Sequence, residues 1–427
     1  MIRVDYSNEP KRDILCIDIK SFFASVEAVE RGIDPRSAYI VVMSRPESDG
    51  GLVLAASPKV KKEFGITTGS RRFEIPKHSP IQIVEPRMGL YLQKNAEVIK
   101  IFKQFVSDDD LHIYSIDESF LDVTKSHALY GKTSEIAKKI QQKIWRELGF
   151  ISTVGIGDNP LLAKLALDND AKHSPHKGYR AYWHYGNVQE TIWKIAPITD
   201  MWGIGNRTKN RLHMFGIDSV FDLSQYDYSK LKNHFGIIGE QMFYHAHGVD
   251  RSVIAEKYHP LSNSYSKNQV LEHDYTNILE IKIIIQEMTD QVGARLREHH
   301  AEAGLIHLSI GYSKDVAERG FSRQMTVIPT NRSKKLISHA NQLFDKYYDG
   351  QPVRTINISC GKISYKSNIQ FDLFEDPEDT IADIKLDHVI DTVRSRYGYT
   401  SLVHASSIMD GATAIKRSGL IGGHKGW

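Results

Sequence analysis

Two cysteines in 427 residues, Cys16 and Cys360, exclude a disulfide framework, and each sits in an apolar run of strand length, as a buried thiol in a reducing compartment would. No apolar stretch reaches the roughly 18 residues of a membrane span. The start of the chain has Arg3, Lys11 and Arg12 but lacks the apolar segment of a signal peptide. The expected location is the cytoplasm, with no membrane partner. Charge of one sign is scarce too. A formal net charge of +3 is too small to declare a polyanion-binding protein, so any nucleic-acid surface must come from uneven placement. What remains is ordinary globular material, 41% hydrophobic and 25% charged, in a chain too long for a single core. Several domains are expected.

The chemistry begins at Asp18, which closes the apolar run Ile14-Leu15-Cys16-Ile17. Beyond it Phe22, Val26 and Val29 share one helical face, so Asp18 stands at a strand-to-helix corner. Leu111-His112-Ile113-Tyr114 and Phe120-Leu121-Asp122-Val123 read as strands of a hairpin that carries Asp117 and Glu118 near its turn. An adjacent acidic pair is also what a solvated turn shows, and alone it decides nothing. With Asp18 added, three carboxylates on one sheet describe a two-metal site of the kind that assists in-line phosphoryl displacement. Hard oxygen ligands favour magnesium.

Asp18-Ile19-Lys20-Ser21-Phe22-Phe23-Ala24-Ser25-Val26-Glu27, followed by Ser115-Ile116-Asp117-Glu118-Ser119-Phe120-Leu121-Asp122, resembles the metal-binding motif pair of Y-family, translesion DNA polymerases, in the flavour of UmuC-like and UvrX-like proteins of Gram-positive bacteria. The resemblance implies an α/β and α+β multidomain fold, a right-hand polymerase. Its parts would be a palm (1–24 and 86–182), small fingers (25–85), a helix-hairpin-helix thumb (183–248), a linker (249–263), a little finger (264–366) and a tail (367–427). It assigns Asp18, Asp117 and Glu118 to catalysis and, with the Ile19 carbonyl, to two Mg2+ ions. Phe23 would be the gate that rejects a 2′-hydroxyl, with Phe22 beside it. Lys62 and Lys164 would contact the nucleotide phosphates, although Lys59, Lys61 and Lys62 alone read equally as the wet face of a short helix from Pro58 to Gly65. The chain departs from the family pattern at Asp158-Asn159-Pro160, where a basic residue usually follows the asparagine.

Further along, Met201-Trp202-Gly203-Ile204-Gly205-Asn206-Arg207 resembles a helix-hairpin-helix loop, in which Gly203, Gly205 and Arg207 would hold duplex phosphates without reading sequence. A glycine-containing turn between packed helices would look similar. Lys314, Arg319, Arg323, Arg332, Lys334 and Lys335 are candidates for a second DNA-facing stripe. Gln370, Leu373 and Phe374 have the spacing of peptides that dock on the bacterial sliding clamp. Past them, Ala382, Leu386, Val389, Ile390 and Val393 form an apolar helical stripe, expected either to pack on the protein itself or to meet a partner such as the recombinase filament. The implied function is error-prone DNA synthesis past damaged template bases on primer-template DNA with deoxynucleoside triphosphates. The alternative is a catalytically inactive, clamp-tethered DNA-binding accessory protein in the damage response.

Overall fold

The computed structural model describes residues 4–258, 260, 262–365 and 376–427. The clamp-type residues Gln370, Leu373 and Phe374 lie outside them. The chain divides into two compact units, Met1–Lys257 with His424–Trp427, and Tyr258–Gly423.

In the first unit the elements run β1 (Ile14–Ile19), α1 (Phe22–Glu30), β2 (Ile40–Ser44), β3 (Leu52–Ala56), α2 (Pro58–Phe64), β4 (Gln82–Val84) and α3 (Met88–Phe102). They continue as β5 (Leu111–Ile113), β6 (Glu118–Asp122), α4 (His127–Tyr130), α5 (Thr133–Leu148), β7 (Ser152–Gly157), α6 (Pro160–Asn169) and β8 (Arg180–Trp183). A mixed five-stranded sheet of order β5-β6-β1-β7-β8 puts β1 in the centre, antiparallel to both neighbours. Side chains alternate across a strand. Cys16 and Ile14 therefore fall into one core cluster and Leu15 and Ile17 into another, on opposite faces of the sheet. A separate three-stranded sheet of order β3-β2-β4 carries α2, with its own small core around Val41, Met43 and Val60.

The glycine pair of Gly155-x-Gly157 lies inside β7, not in a turn after it. A Cβ on Gly155 would come 1.9 Å from the Ala163 carbonyl oxygen, and one on Gly157 would come 2.3 Å from the Ala163 nitrogen. Both glycines exist so that α6 can lie directly on the strand. Asn159 starts that helix: its side-chain oxygen accepts from Leu162 N at 2.8 Å, and its amide donates to the Gly248 carbonyl at 2.8 Å. Helices α7 (Asn206–His213), α8 (Val220–Gln225), α9 (Tyr228–Phe235) and α10 (Ile237–Ala246) complete the unit. Its last four residues return to it, with Gly426 O accepting from Gly89 N at 2.7 Å and Trp427 covering Gly89.

The second unit is a four-stranded antiparallel sheet of order β11-β10-β12-β9, built from β9 (Tyr265–Tyr275), β10 (Glu302–Tyr312), β11 (Gly320–Thr330) and β12 (Val353–Ser364). One face is covered by α11 (Ile278–Glu298) and α12 (Ser333–Tyr347). The tail then adds α13 (Pro377–Tyr397) to this unit. Leu386 and Val389 are 59% and 54% exposed, while Thr380 and Asp387 are buried. Asp387 and Asp391 take Arg297 at 3.2 and 2.6 Å, and Arg394 takes the buried Asp290 at 2.6 Å. Arg332 and Lys334 are likewise drawn toward Asp383 of α13, at 3.6 and 3.5 Å.

Both cysteines are free and buried. No helix among the described residues is long and apolar enough to cross a membrane.

Candidate active site

Asp18 is fixed by register: it pairs with Glu118 on one side and Thr153 on the other. Ile19 N then donates to the Asp117 carbonyl at 2.9 Å, which brings the hairpin turn against the end of β1. The turn itself is tight. Ser115 N and Tyr114 N both donate to Glu118 O at 3.0 Å, and Ser115 Oγ donates to Asp117 Oδ1 at 2.7 Å. Immediately after β1 the backbone turns sharply, with Ser21 at φ 51, a left-handed conformation that costs energy for a residue with a Cβ.

The acids are answered by a ladder of alternating charge. Glu118 meets Lys164 at 2.7 Å, Lys164 meets Asp168 at 2.9 Å, Asp168 meets Lys172 at 2.9 Å, and Lys172 meets Asp18 at 3.2 Å. Helix α6 and the turn after it supply Lys164, Asp168 and Lys172 at successive intervals of four, so one helical face delivers the ladder. Burial works against both ammonium groups, but Glu118, Asp168 and Asp18 outweigh it and raise the pKa of Lys164 and Lys172. Burial first, then Asp117 and Glu118, raise the Asp18 carboxyl against the pull of Lys172. Cys16 Sγ donates to the other Glu118 oxygen at 3.1 Å.

Among the described residues the three carboxylates do not close into a ready-made ligand cage. Each is engaged by its own partner. The donor set nevertheless fits a hard divalent ion: Asp18, Glu118 and Asp117 stand on neighbouring backbone at one strand end, and two ammonium ions already supply counter-charge there.

Three lysines lie around Asp18. Lys172 touches it, and the pKa values of Lys20 and Lys61 are lowered, first by burial and then by charges that include one another's or that of Lys172. Asp18 and Asp117 pull the Lys61 pKa upward, against burial and the charge of Lys172. Lys62 is exposed on α2, and Lys59 lies over the Tyr39 ring at 4.3 Å. Lys164, expected to reach a phosphate, is instead only 9% exposed and held between Glu118 and Asp168. Lys20, Asp168 and Lys172 escaped the sequence reading. Their signal was available in the spacing of four from Lys164 and in the position two residues after Asp18.

Phe23 is half-buried on α1 and stacks on Tyr91 at 4.4 Å and 15°. Tyr91 in turn donates to the fully buried Glu27 at 2.8 Å, and Arg87 clasps the same carboxylate at 3.0 and 2.7 Å. Phe22, placed beside Phe23 by the resemblance, is 2% exposed and packs edge-on against Phe150 in the core.

The helix-hairpin-helix loop is exposed at Gly203, Gly205 and Arg207. Gly203 adopts φ +92, which requires glycine, and nothing lies within 4 Å of where a Cβ of either glycine would be. Arg211, one turn beyond Arg207, is committed to the His234 carbonyl at 3.2 Å.

This arrangement of sheet, fingers, loop and final α+β module is the fold of Y-family DNA polymerases. A solved Y-family DNA polymerase chimera, Dbh-Dpo4(243-245)-Dbh, matches with a TM-score of 0.66 and 19% identity, covering 83% of this chain and 100% of that one. The chain belongs to the impB/mucB/samB family: family models match residues 17–168, the family's helix-hairpin-helix motif matches 185–217, and its C-terminal domain matches 262–373. The putative UV-damage repair protein UvrX of Bacillus subtilis (strain 168) is 43% identical, over 99% of this chain and 100% of its own length. DNA polymerase IV 2 of the same strain is 32% identical over 96% of this chain and 98% of its own, and DNA polymerase IV of Clostridium acetobutylicum is 30% identical over 90% and 95%.

Proposed function

We propose that the chain is a template-directed DNA polymerase of the translesion class, extending a primer past damaged bases. The observation that carries this reading is the register of Asp18 with Glu118, with Asp117 in the adjoining turn, inside a family whose similar members are named as DNA polymerases. Asp18, Asp117, Glu118 and the Ile19 carbonyl would hold two Mg2+ ions, whose chemistry is to acidify the primer 3′-hydroxyl and offset charge on the leaving pyrophosphate.

The chain's own residues do the rest by placement and charge. Lys172, Lys61 and Lys20 would give the incoming triphosphate a positive lining around Asp18. Lys62 remains a candidate for the outer phosphates, being exposed on the same short helix. Lys164 holds Glu118 in position through a 2.7 Å contact. Phe23, backed by Tyr91, would meet the sugar. Gly203, Gly205 and Arg207 would grip the duplex backbone through open N–H groups at the start of α7. Residues 1–24 and 86–182 would serve as palm, 25–85 as fingers, 183–248 as thumb and 264–366 as little finger. Gln370, Leu373 and Phe374 would tether the enzyme to the sliding clamp in the cytoplasm.

The deciding experiment is primer extension with magnesium on undamaged and abasic templates, wild type against Asp117→Ala/Glu118→Ala. Extension by the wild type alone establishes the polymerase and its acids. Failure of the wild type with the clamp present would leave an accessory DNA-binding role, and equal extension by both would expose a contaminant.

A further inference from the structure

On the helix-bearing side of the β9–β12 sheet a cleft of ≈ 1510 Å³ is lined by Lys267, Arg295, Gln291 and Tyr399, with Arg394 and Arg396 of α13. Lys267 shares its strand face with Leu271, which is fully buried beneath the helices. Its ammonium group therefore stands on this side of the sheet and not on the open one.

Lys267 and Arg295 line this cleft together with Glu298, Glu302 and Asp391, and Arg417 stands close enough to Lys267 to act on its charge. The Lys267 side chain has no hydrogen bond or ion pair among the described residues, and burial first, then Arg417 and Arg295, hold it down at about 8. Arg417, with a side chain 9% exposed, gives one nitrogen to Glu287 at 3.3 Å and leaves Nε and Nη1 buried with no acceptor. The same Glu287 oxygen accepts from Thr413 N at 3.0 Å and Ala414 N at 2.8 Å, and its Oε1 is buried without a partner. Arg295 donates to the Ser266 carbonyl at 3.1 Å and lies over the Tyr265 ring. Gln291 Oε1 is also buried without a partner. Idle donors inside a protein are costly until an acceptor reaches them, and clustered like charges are stable only with counter-charge between them.

We propose that this cleft binds a small phosphorylated molecule, with a polyphosphate group at Lys267 and Arg295, beside Arg417, and the body of the ligand along Gln291 and Tyr399. A single carboxylate carries one charge against three. A polyphosphate carries several, and its tetrahedral oxygens suit the planar fork of arginine. The site uses none of the residues assigned to polymerisation, so it stands whether or not that reading does.

The test is titration calorimetry of the full-length chain with inorganic tripolyphosphate in EDTA, which keeps metal-bound phosphate out of the carboxylate site. Saturable one-to-one binding is expected, weakened about tenfold or more by Lys267→Gln and by Arg295→Gln, and unchanged by Lys172→Gln. Lys267 is partly exposed and Arg295 exposed, so both variants should fold, which their melting curves check. In lysine-labelled protein the Lys267 titration should move up from about 8 when the anion is added. No saturable binding, equal binding by the two cleft variants, or loss in Lys172→Gln would each overturn the proposal.

Discussion

At the scale of single residues, the site trades stability for charge. Asp18 is raised above its usual 3.8 by burial first and by its acidic neighbours second. A carboxyl raised on folding binds its proton more tightly in the native state. Its contribution is therefore neutral below 3.8 and turns unfavourable as pH climbs through 3.8 and then through the folded value. Asp18→Asn should thus melt at a higher temperature than wild type at pH 7 in EDTA, with the difference vanishing near pH 3, while extension falls by about 10³-fold or more. A variant that melts lower at pH 7 would mean that Lys172 outweighs burial. Phe23 bears on selectivity instead. Phe23→Ala should admit ribonucleotides by tens of times or more, about the discrimination of a close steric contact, while deoxynucleotide insertion persists. Unchanged sugar preference in single-nucleotide kinetics would remove Phe23 from the gate.

Among elements, α6 matters most, because one helix delivers Lys164 and Asp168 and leads into Lys172. Its position depends on two missing side chains. Gly155→Ala would drive a Cβ into the Ala163 carbonyl oxygen, with an expected loss of about 3 kcal/mol in urea denaturation, the upper end for overpacking. Extension should fall as well, because the helix carries its charges away with it. Much of this was legible beforehand. The apolar run of β1 and the hairpin with its acids could be read from period and punctuation, because local sterics and burial dictate them. The meaning of Gly155 and Gly157 could not, since a glycine placed for a turn and one placed for close packing look alike in a sequence. Nor could the place of Lys61 near the acids. That depends on the rotation of a helix barely two turns long, which the apolar pattern of one buried residue, Val60, does not fix.

For each unit as a whole, α13 gives the clearest lesson. Its apolar stripe left self-packing and a partner both open; the helix is held by buried ion pairs, half-buries Ile390 and Val393 and turns Leu386 and Val389 to solvent. The residues that decide this, Asp290, Arg297 and Arg332, come from distant parts of the sequence and carry no local sign of their partners. Arg394→Met should leave Asp290 buried without its cation and cost about 3–5 kcal/mol, whereas Leu386→Ser should change stability by less than about 0.5 kcal/mol. Hydrogen exchange of residues 278–298 reads both, and a larger effect from Leu386→Ser would show that the apolar stripe is the buried one.

The central place of β1 has a consequence for synthesis. The strand leaves the ribosome early, but its two neighbours begin at Glu118 and Ser152. Until both have emerged, six residues of nearly pure core wait without a partner on either edge. The nascent chain is therefore most vulnerable to aggregation, and most in need of chaperones, during the stretch of translation between β1 and β6.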